Sequence, residues 1–296
     1  MIRVEQDDAM GSALLDLDAA LGGRPRLLIG GGYGLYLKQV HLQSERTRTL
    51  VPGEQWPSAR TTEDIDLFLR ADVFADESSI RRIREALDET GFRVVEDAKW
   101  MKFFRAAQGT KVVLDVMTGP IYEGTSAVTV RGVRVRHPTA SGVLHGRYTA
   151  DALGIEVDPI EIWLAGLTTS GEEHECTVRV PQAFPMLVMK LCAFKDQVND
   201  ESKDAGRRHA FDLVRIVAML TKSEEERARE LVVRFASNPE LQKARSVIDD
   251  SFRPNDGLGR IRIREHALYR RNQDLDGLAR EMSRLLGQSA IAEGLI

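Results

Sequence analysis

Asp64 and Asp66 stand two residues apart in Glu63-Asp64-Ile65-Asp66-Leu67-Phe68-Leu69. If this stretch is extended, its period of two puts both carboxylates on one face and Ile65, Leu67 and Leu69 on the other. Two adjacent carboxylates repel, so such a pair persists where a cation neutralises it, and hard oxygen ligands suit Mg²⁺ or Mn²⁺. A third acid, Asp115, sits inside the apolar run Val112-Val113-Leu114-Asp115-Val116. An unpaired carboxylate in such a strand is costly or takes up a proton. Asp115 therefore lies at an exposed strand end or beside a cation, and it is a third metal ligand if the two strands are neighbours.

Upstream, Arg26-Leu27-Leu28-Ile29 reads as a short buried strand running into Gly30-Gly31-Gly32-Tyr33-Gly34, with a helix beginning at Leu35-Tyr36-Leu37-Lys38. Strand, glycine turn and helix make a phosphate-binding layout, because backbone N–H groups can approach an anion without Cβ obstruction. Two rival glycine motifs fit poorly. A dinucleotide-binding fingerprint wants a small residue where Leu35 stands, and a P-loop wants Gly-Lys-Ser/Thr at its end. A tight turn with no ligand is the plain alternative.

The elements that must position these residues follow from periodicity. Residues 10–22 form a first helix closed by Gly22-Gly23, and residues 76–90 a second, with Ile80, Ile83 and Leu87 at helical spacing and Gly91 after it. Strands are expected at 92–95, 101–105 and 111–117, and a hairpin over 128–136 with Val133 and Val135 facing in. Residues 45–60 read as a polar loop inserted at the mouth of the site. Beyond Pro181 the pattern turns helical, at 182–197, 209–220, 223–236 and 274–286, with a charged linker at 199–208 and a turn at Gly257-Leu258-Gly259. The expected class is α+β: a mixed or antiparallel sheet flanked by helices in residues 1–180, then an α-helical domain in 181–296.

The 296 residues suffice for about two domains. A net charge of −4 and a pI near 6.0 give no global positive field, so any nucleic-acid contact must come from local patches. Two cysteines, Cys176 and Cys192, exclude a disulfide scaffold, and no His/Cys cluster has zinc spacing. With no apolar run near the ~18 residues a membrane span needs, a soluble, unprocessed, cytoplasmic protein is expected.

The ordered set of the strand into Gly31-Gly32, Arg60-Thr61-Thr62-Glu63-Asp64-Ile65-Asp66-Leu67, Asp115, Lys190-Leu191-Cys192-Ala193, and Lys203-Asp204 with Phe211-Asp212-Leu213 resembles the AbiEii/AbiGii-type toxin nucleotidyltransferases, within the DNA polymerase β-like superfamily. The resemblance covers most of residues 26–220. It implies a nucleotidyltransferase core that moves a nucleoside monophosphate from an NTP to an acceptor with two metal ions. Asp64, Asp66 and Asp115 would hold Mg²⁺ or Mn²⁺. Gly31 and Gly32, with Tyr33, Arg60, Thr62 and Lys190, would serve the triphosphate, and Asp212 would support the site from the second domain. The acceptor is expected to be RNA such as tRNA, and a cognate antitoxin an expected partner. Two departures touch the triphosphate pocket: Tyr33 replaces a small hydroxyl residue, and Gln197 replaces an arginine.

Arginines would offer an acceptor its phosphate contacts. Arg134 and Arg136 face out of the hairpin beside Arg131, and the alternation of Gly259-Arg260-Ile261-Arg262-Ile263-Arg264 would present three guanidinium groups on one side, near Arg270 and Arg271. A solvated strand face is the bland reading of both. Two other functional classes remain open: a degenerate nucleotide- or partner-binding module without turnover, and a small-molecule nucleotidyltransferase of the kind that modifies antibiotics. The latter would want an acidic pocket in its second domain in place of arginines.

Overall fold

The computed structural model describes residues 1–5, 7–62, 64–107, 109–122, 128–271 and 273–288. Glu63, at the head of the acidic strand, lies outside the described residues. The chain divides into two compact units, and the division does not follow sequence order. The first comprises residues 1–45, 61–150 and 156–181; the second comprises residues 46–60, 151–155 and 182–296.

The first unit runs β1 (Ile2–Arg3), α1 (Ala9–Leu21), β2 (Leu28–Gly30), α2 (Gly31–Ser44), β3 (Asp64–Phe68), α3 (Ala71–Ala75), α4 (Glu77–Glu89), β4 (Arg93–Val94), β5 (Lys102–Ala107), β6 (Thr110–Thr118), β7 (Thr129–Arg131), β8 (Arg134–Arg136), β9 (His145–Tyr148), β10 (Ile160–Leu167) and β11 (Glu173–Val180). Among the described residues the strands form one mixed sheet in the order β1-β10-β11-β2-β3-β6-β9-β8-β7, with β5 also pairing β6 and β4 pairing β5. The β3–β6 and β6–β9 pairs are parallel and β2–β3 antiparallel. This is the mixed sheet expected for an α+β chain.

Alternation gives the sheet two unlike faces. Ile65, Leu67, Val112, Leu114, Val116, Phe103, Ile162, Leu164 and Val178 are buried on one of them, where α1 packs on β6, β10 and β11 and against α4. Asp64, Asp66 and Asp115 project from the other. The helix starts have local causes: Asp8 caps α1 by accepting from the Gly11 N–H at 2.8 Å, and Gly22 closes it in the left-handed region at φ 63°.

The second unit contains α5 (Ala183–Gln197), α6 (Arg207–Ala218), α7 (Lys222–Arg234), α8 (Pro239–Val247), a π-helical turn at Ile248–Phe252, α9 (Leu258–Glu265) and α10 (Leu275–Leu285). Residues 46–60, expected as an insertion at a site mouth, pack here: the Leu50 and Val51 N–H groups donate to the carbonyls of Leu220 and Ala218, and Trp56 is buried.

Several sequence expectations are corrected. The helix after the glycines starts at Gly31, not Leu35. Val133 is exposed because it occupies the turn between β7 and β8, and only Val135 is buried. The β10–β11 hairpin, whose Ile160-Ile162-Leu164 and Cys176-Val178-Val180 alternate at period two, and α8 add to the expected elements. The Gly259–Arg264 alternation is not a strand but α9, in which Arg260 is buried. Its guanidinium donates to the carbonyls of Phe252 and Arg253 and to Asn255 Oδ1, and pairs with Asp276 at 2.6 Å. Arg262 pairs with Glu265. Six alternating residues also fit a helix whose buried side is Gly259, Arg260 and Ile263, since a Cβ on Gly259 would lie 2.5 Å from the Phe252 ring. The three arginines therefore form no common stripe.

Candidate active site

One row across the sheet of the first unit gathers the glycines and two of the acids. Gly30 is the register partner of Asp66, Asp66 of Asp115, and Asp115 of Lys102. Register partners project to the same side, so Asp66 and Asp115 are immediate neighbours on adjacent parallel strands, and Asp64 lies one pleat away on β3. Asp64 is exposed, while Asp66 and Asp115 are half-buried. The next residue of the glycine turn explains its own identity. Gly31 holds φ +61°, and a Cβ there would sit 1.8 Å from Asp66 Oδ2. Only glycine combines that backbone with so close a carboxylate. Gly34 is fixed in the same way by backbone, its absent Cβ lying 2.2 Å from the Ile29 carbonyl oxygen.

The sequence reading missed Lys102. Its Nζ lies 3.0 Å from Asp115 Oδ2, so the lone acid in the apolar strand is neutralised by a lysine from the adjacent strand. Among the described residues no three His, Cys, Asp or Glu side chains are grouped closely enough to hold a metal ion. The donor chemistry of Asp64 and Asp66 nevertheless suits a hard divalent cation: both are oxygen donors and both lie on one face, and the absent Cβ of Gly31 lets the Asp66 carboxylate sit against the glycine turn. Asp115 would join them by exchanging Lys102.

Tyr33 is placed elsewhere. It is buried in α2, its hydroxyl donates to Asp8 Oδ2 at 2.9 Å, and its ring stacks on Tyr36. Burial, and then the Asp8 carboxylate, push its phenol well above the usual value. Gly32 follows Gly31 in the first turn of α2, and Thr62 is half-buried just ahead of β3.

In the second unit the expected residues Arg60, Lys190 and Asp212 meet, joined by Arg215. Asp212 is fully buried on α6. It accepts from Arg60 Nε at 3.1 Å and Nη2 at 2.8 Å, from Lys190 Nζ on α5 at 2.7 Å, and from Arg215 Nη1 at 3.1 Å. Arg215 follows Asp212 by three positions, a helical neighbour spacing that the sequence itself offered. Burial alone would raise the Asp212 carboxyl, but Lys190 and Arg60 outweigh it and hold the group well below the ordinary carboxylate range. His209, one turn before Asp212, is pushed down to about 3 by burial and then by Lys190, and its Nδ1 has no hydrogen-bond partner. His266 lies flat on Phe211 with ring centroids 4.1 Å apart. Lys203 pairs with Asp200, Asp204 lies in the left-handed region, and Gln197 ends α5.

A mixed sheet that presents acids on one face beside a glycine turn opening a helix is the architecture of a nucleotidyltransferase. A family model described as "Nucleotidyl transferase AbiEii toxin, Type IV TA system" matches residues 51–288, most of the chain. The protein belongs to that AbiEii family of nucleotidyltransferase toxins. No curated protein matches the chain. Among solved structures, the antibiotic-resistance factor ANT(2'')-Ia, determined in solution, is similar at 15% identity and a TM-score of 0.32, over 78% of this chain and 97% of that one. A likeness so slight carries no argument about substrate. No helix among the described residues is long and apolar enough to cross a membrane.

Proposed function

We propose that the chain transfers a nucleoside monophosphate from an NTP to an RNA acceptor such as tRNA, in a metal-dependent reaction, with a cognate antitoxin as a further partner. The observation that carries this reading is the row Gly30–Asp66–Asp115, which sets a glycine turn and helix start directly against two carboxylates. A backbone N–H array at a helix start favours phosphate, and the neighbouring carboxylates are where a divalent cation would be held. Asp64 and Asp66, with Asp115 exchanged from Lys102, would hold that cation, and its charge would stabilise the displacement at the α-phosphorus.

The chain's own groups have the remaining roles. Gly31 and Gly32 bring backbone N–H groups to the phosphates. Asp115 is the carboxylate suited to take the proton of an acceptor hydroxyl, and Lys102 is its ion-pair partner at 3.0 Å. In the second unit Lys190 is the cation suited to a polyphosphate. Asp212, out of reach of water and bonded to three cations, is a positioning residue that holds the Lys190 ammonium and the Arg60 guanidinium. Tyr33, the departure that most favours a degenerate module, is engaged with Asp8, which favours an active site.

The test is pyrophosphate release with each NTP and total RNA for wild type, Asp64→Ala and Asp66→Ala, beside melting curves. Both variants should lose at least a hundredfold in turnover, as expected for loss of a preorganised charge-stabilising group, while keeping the wild-type melting temperature within a few degrees. Near wild-type turnover in either variant overturns the assignment, and loss of the fold in both makes the pair structural.

A further inference from the structure

On the acid-bearing face of the first unit, next to β6, three short strands carry four arginines. Met117 lies two residues beyond Asp115 and therefore on the same face. Its register partner is Arg147 on β9, whose partner is Arg134 on β8, whose partner in turn is Arg131 on β7. Arg136 lies one pleat further along β8, opposite His145. Arg131 is exposed and the other three are half-buried. Among the described residues none of the four forms an ion pair. The Arg134 guanidinium donates to the Lys99 carbonyl at 3.2 Å, its one hydrogen bond. The arginines of α9 contrast with them, since the buried Arg260 and its neighbour Arg262 are both tied to acids.

Like charges directly opposite one another on neighbouring strands destabilise a sheet, and here three stand in one row. Their field is felt locally: His145 is held below the ordinary histidine value first by burial and then by Arg134 and Arg136. A row of guanidinium groups without an acid partner among the described residues is relieved by an anion that spans it. Strands are spaced ~4.8 Å apart and alternate residues ~6.7 Å, so the four charges cover roughly 10 Å by 7 Å. That area spans more than one phosphate of a single strand, which carries a charge every ~3.4 Å of axis in a duplex.

We infer that Arg131, Arg134, Arg136 and Arg147 form the track for the phosphodiester backbone of the acceptor RNA, leading along β7, β8 and β9 to the edge of β6 that carries Asp115. The inference rests on the RNA-acceptor reading above and adds where the strand runs. It also makes this a sequence-tolerant contact, because guanidinium groups on phosphates position a strand without reading bases.

The experiment is binding of a labelled oligouridylate to the full chain across a range of salt, for wild type, Arg134→Gln/Arg147→Gln and the exposed single variant Arg131→Gln. Each phosphate contact to single-stranded RNA contributes about 0.7 to the salt slope, which is about fivefold in affinity at 0.1 M salt. The double variant should therefore bind about 25-fold more weakly with a slope lower by about 1.4, and the single variant about fivefold more weakly with a slope lower by about 0.7. Melting temperatures should stay level or rise as the like-charge row is relieved. If wild type binds with a steep salt slope and the variants match it, the track is elsewhere while the RNA-acceptor reading stands. If wild type binds no RNA at low salt, that reading itself fails. A poly-glutamate peptide of equal charge is the competing probe: if it, and not RNA, loses affinity in the variants, the patch serves an acidic protein and the inference is overturned. Loss of NTP affinity in the variants would assign the arginines to the triphosphate and overturn it equally.

Discussion

Changing Asp212 to Asn keeps the size of the side chain and one acceptor oxygen but removes the negative charge on which Arg60, Lys190 and Arg215 converge. Lys190 and Arg60 keep 10% and 11% of their side-chain exposure, so each can swing part of its charge toward water. Arg215 keeps none, and its charge is also disfavoured by burial, with Asp212 as the group that offsets it. The loss is therefore concentrated on one fully buried cation whose offsetting charge is removed, rather than on three, about 3–5 kcal/mol. At about 3 °C per kcal/mol for a unit of this size class, the melting temperature should fall by roughly 10–15 °C. Differential scanning calorimetry at neutral pH reads this directly, and pyrophosphate release measured well below the variant's own transition reads the functional effect. If Asp212 positions Lys190, slower transfer should come with a raised KM for NTP. A variant that melts within 2 °C of wild type refutes the electrostatic argument. A variant that stays stable yet loses turnover at unchanged KM shows that the carboxylate takes part in the chemistry itself.

Gly31→Ala combines a left-handed backbone, worth about 1–2 kcal/mol against a residue with a Cβ, with a clash against Asp66 Oδ2; it should lower the melting temperature modestly while abolishing most pyrophosphate release, and wild-type turnover would separate the glycine turn from the acids. His209 is neutral in the folded protein down to about pH 3 but titrates near 6.5 when unfolded. The unfolded chain thus takes up a proton first as the pH falls, and the folded state loses stability from about pH 6.5 toward pH 3, by up to roughly 5 kcal/mol. His209→Gln should remove that part of the acid sensitivity in urea titrations at a series of pH values, and an unchanged pH profile would show the imidazole to be hydrated.

The parts of the site that could be read from sequence are those set by local period. Asp64 and Asp66 share a face because strands repeat every two residues, and the helix bearing Lys190 is visible in its own apolar spacing. What could not be read depends on which strands pair and in which register. Nothing within the glycine turn indicates that Gly31 will meet Asp66 across β2 and β3, or that Lys102 will face Asp115. The row Arg131–Arg134–Arg147 was half visible, since the hairpin brings the first two together, whereas Arg147 joins only through the β8–β9 pairing. Arg215 is the opposite case, a helical neighbour of Asp212 that the three-residue spacing displays. The arginines of α9 were misread because alternation over six residues fits a strand and a helix alike; burial of Arg260 against the carbonyls of Phe252 and Arg253 decides between them.

Residues 46–60 belong to the second unit although they precede most of the first. On the ribosome this segment leaves the exit tunnel long before Ala218 and Leu220, whose carbonyls receive Val51 and Leu50. At ~5–20 residues per second the wait is on the order of ten seconds. Throughout that interval the growing chain holds Trp56 and its neighbours without their packing partners, and Arg60 without Asp212. For a protein of a toxin family the effect is a built-in delay: no nascent fragment short of α6 can assemble the buried cation node, which forms only after Asp212 and Arg215 have been added to the chain.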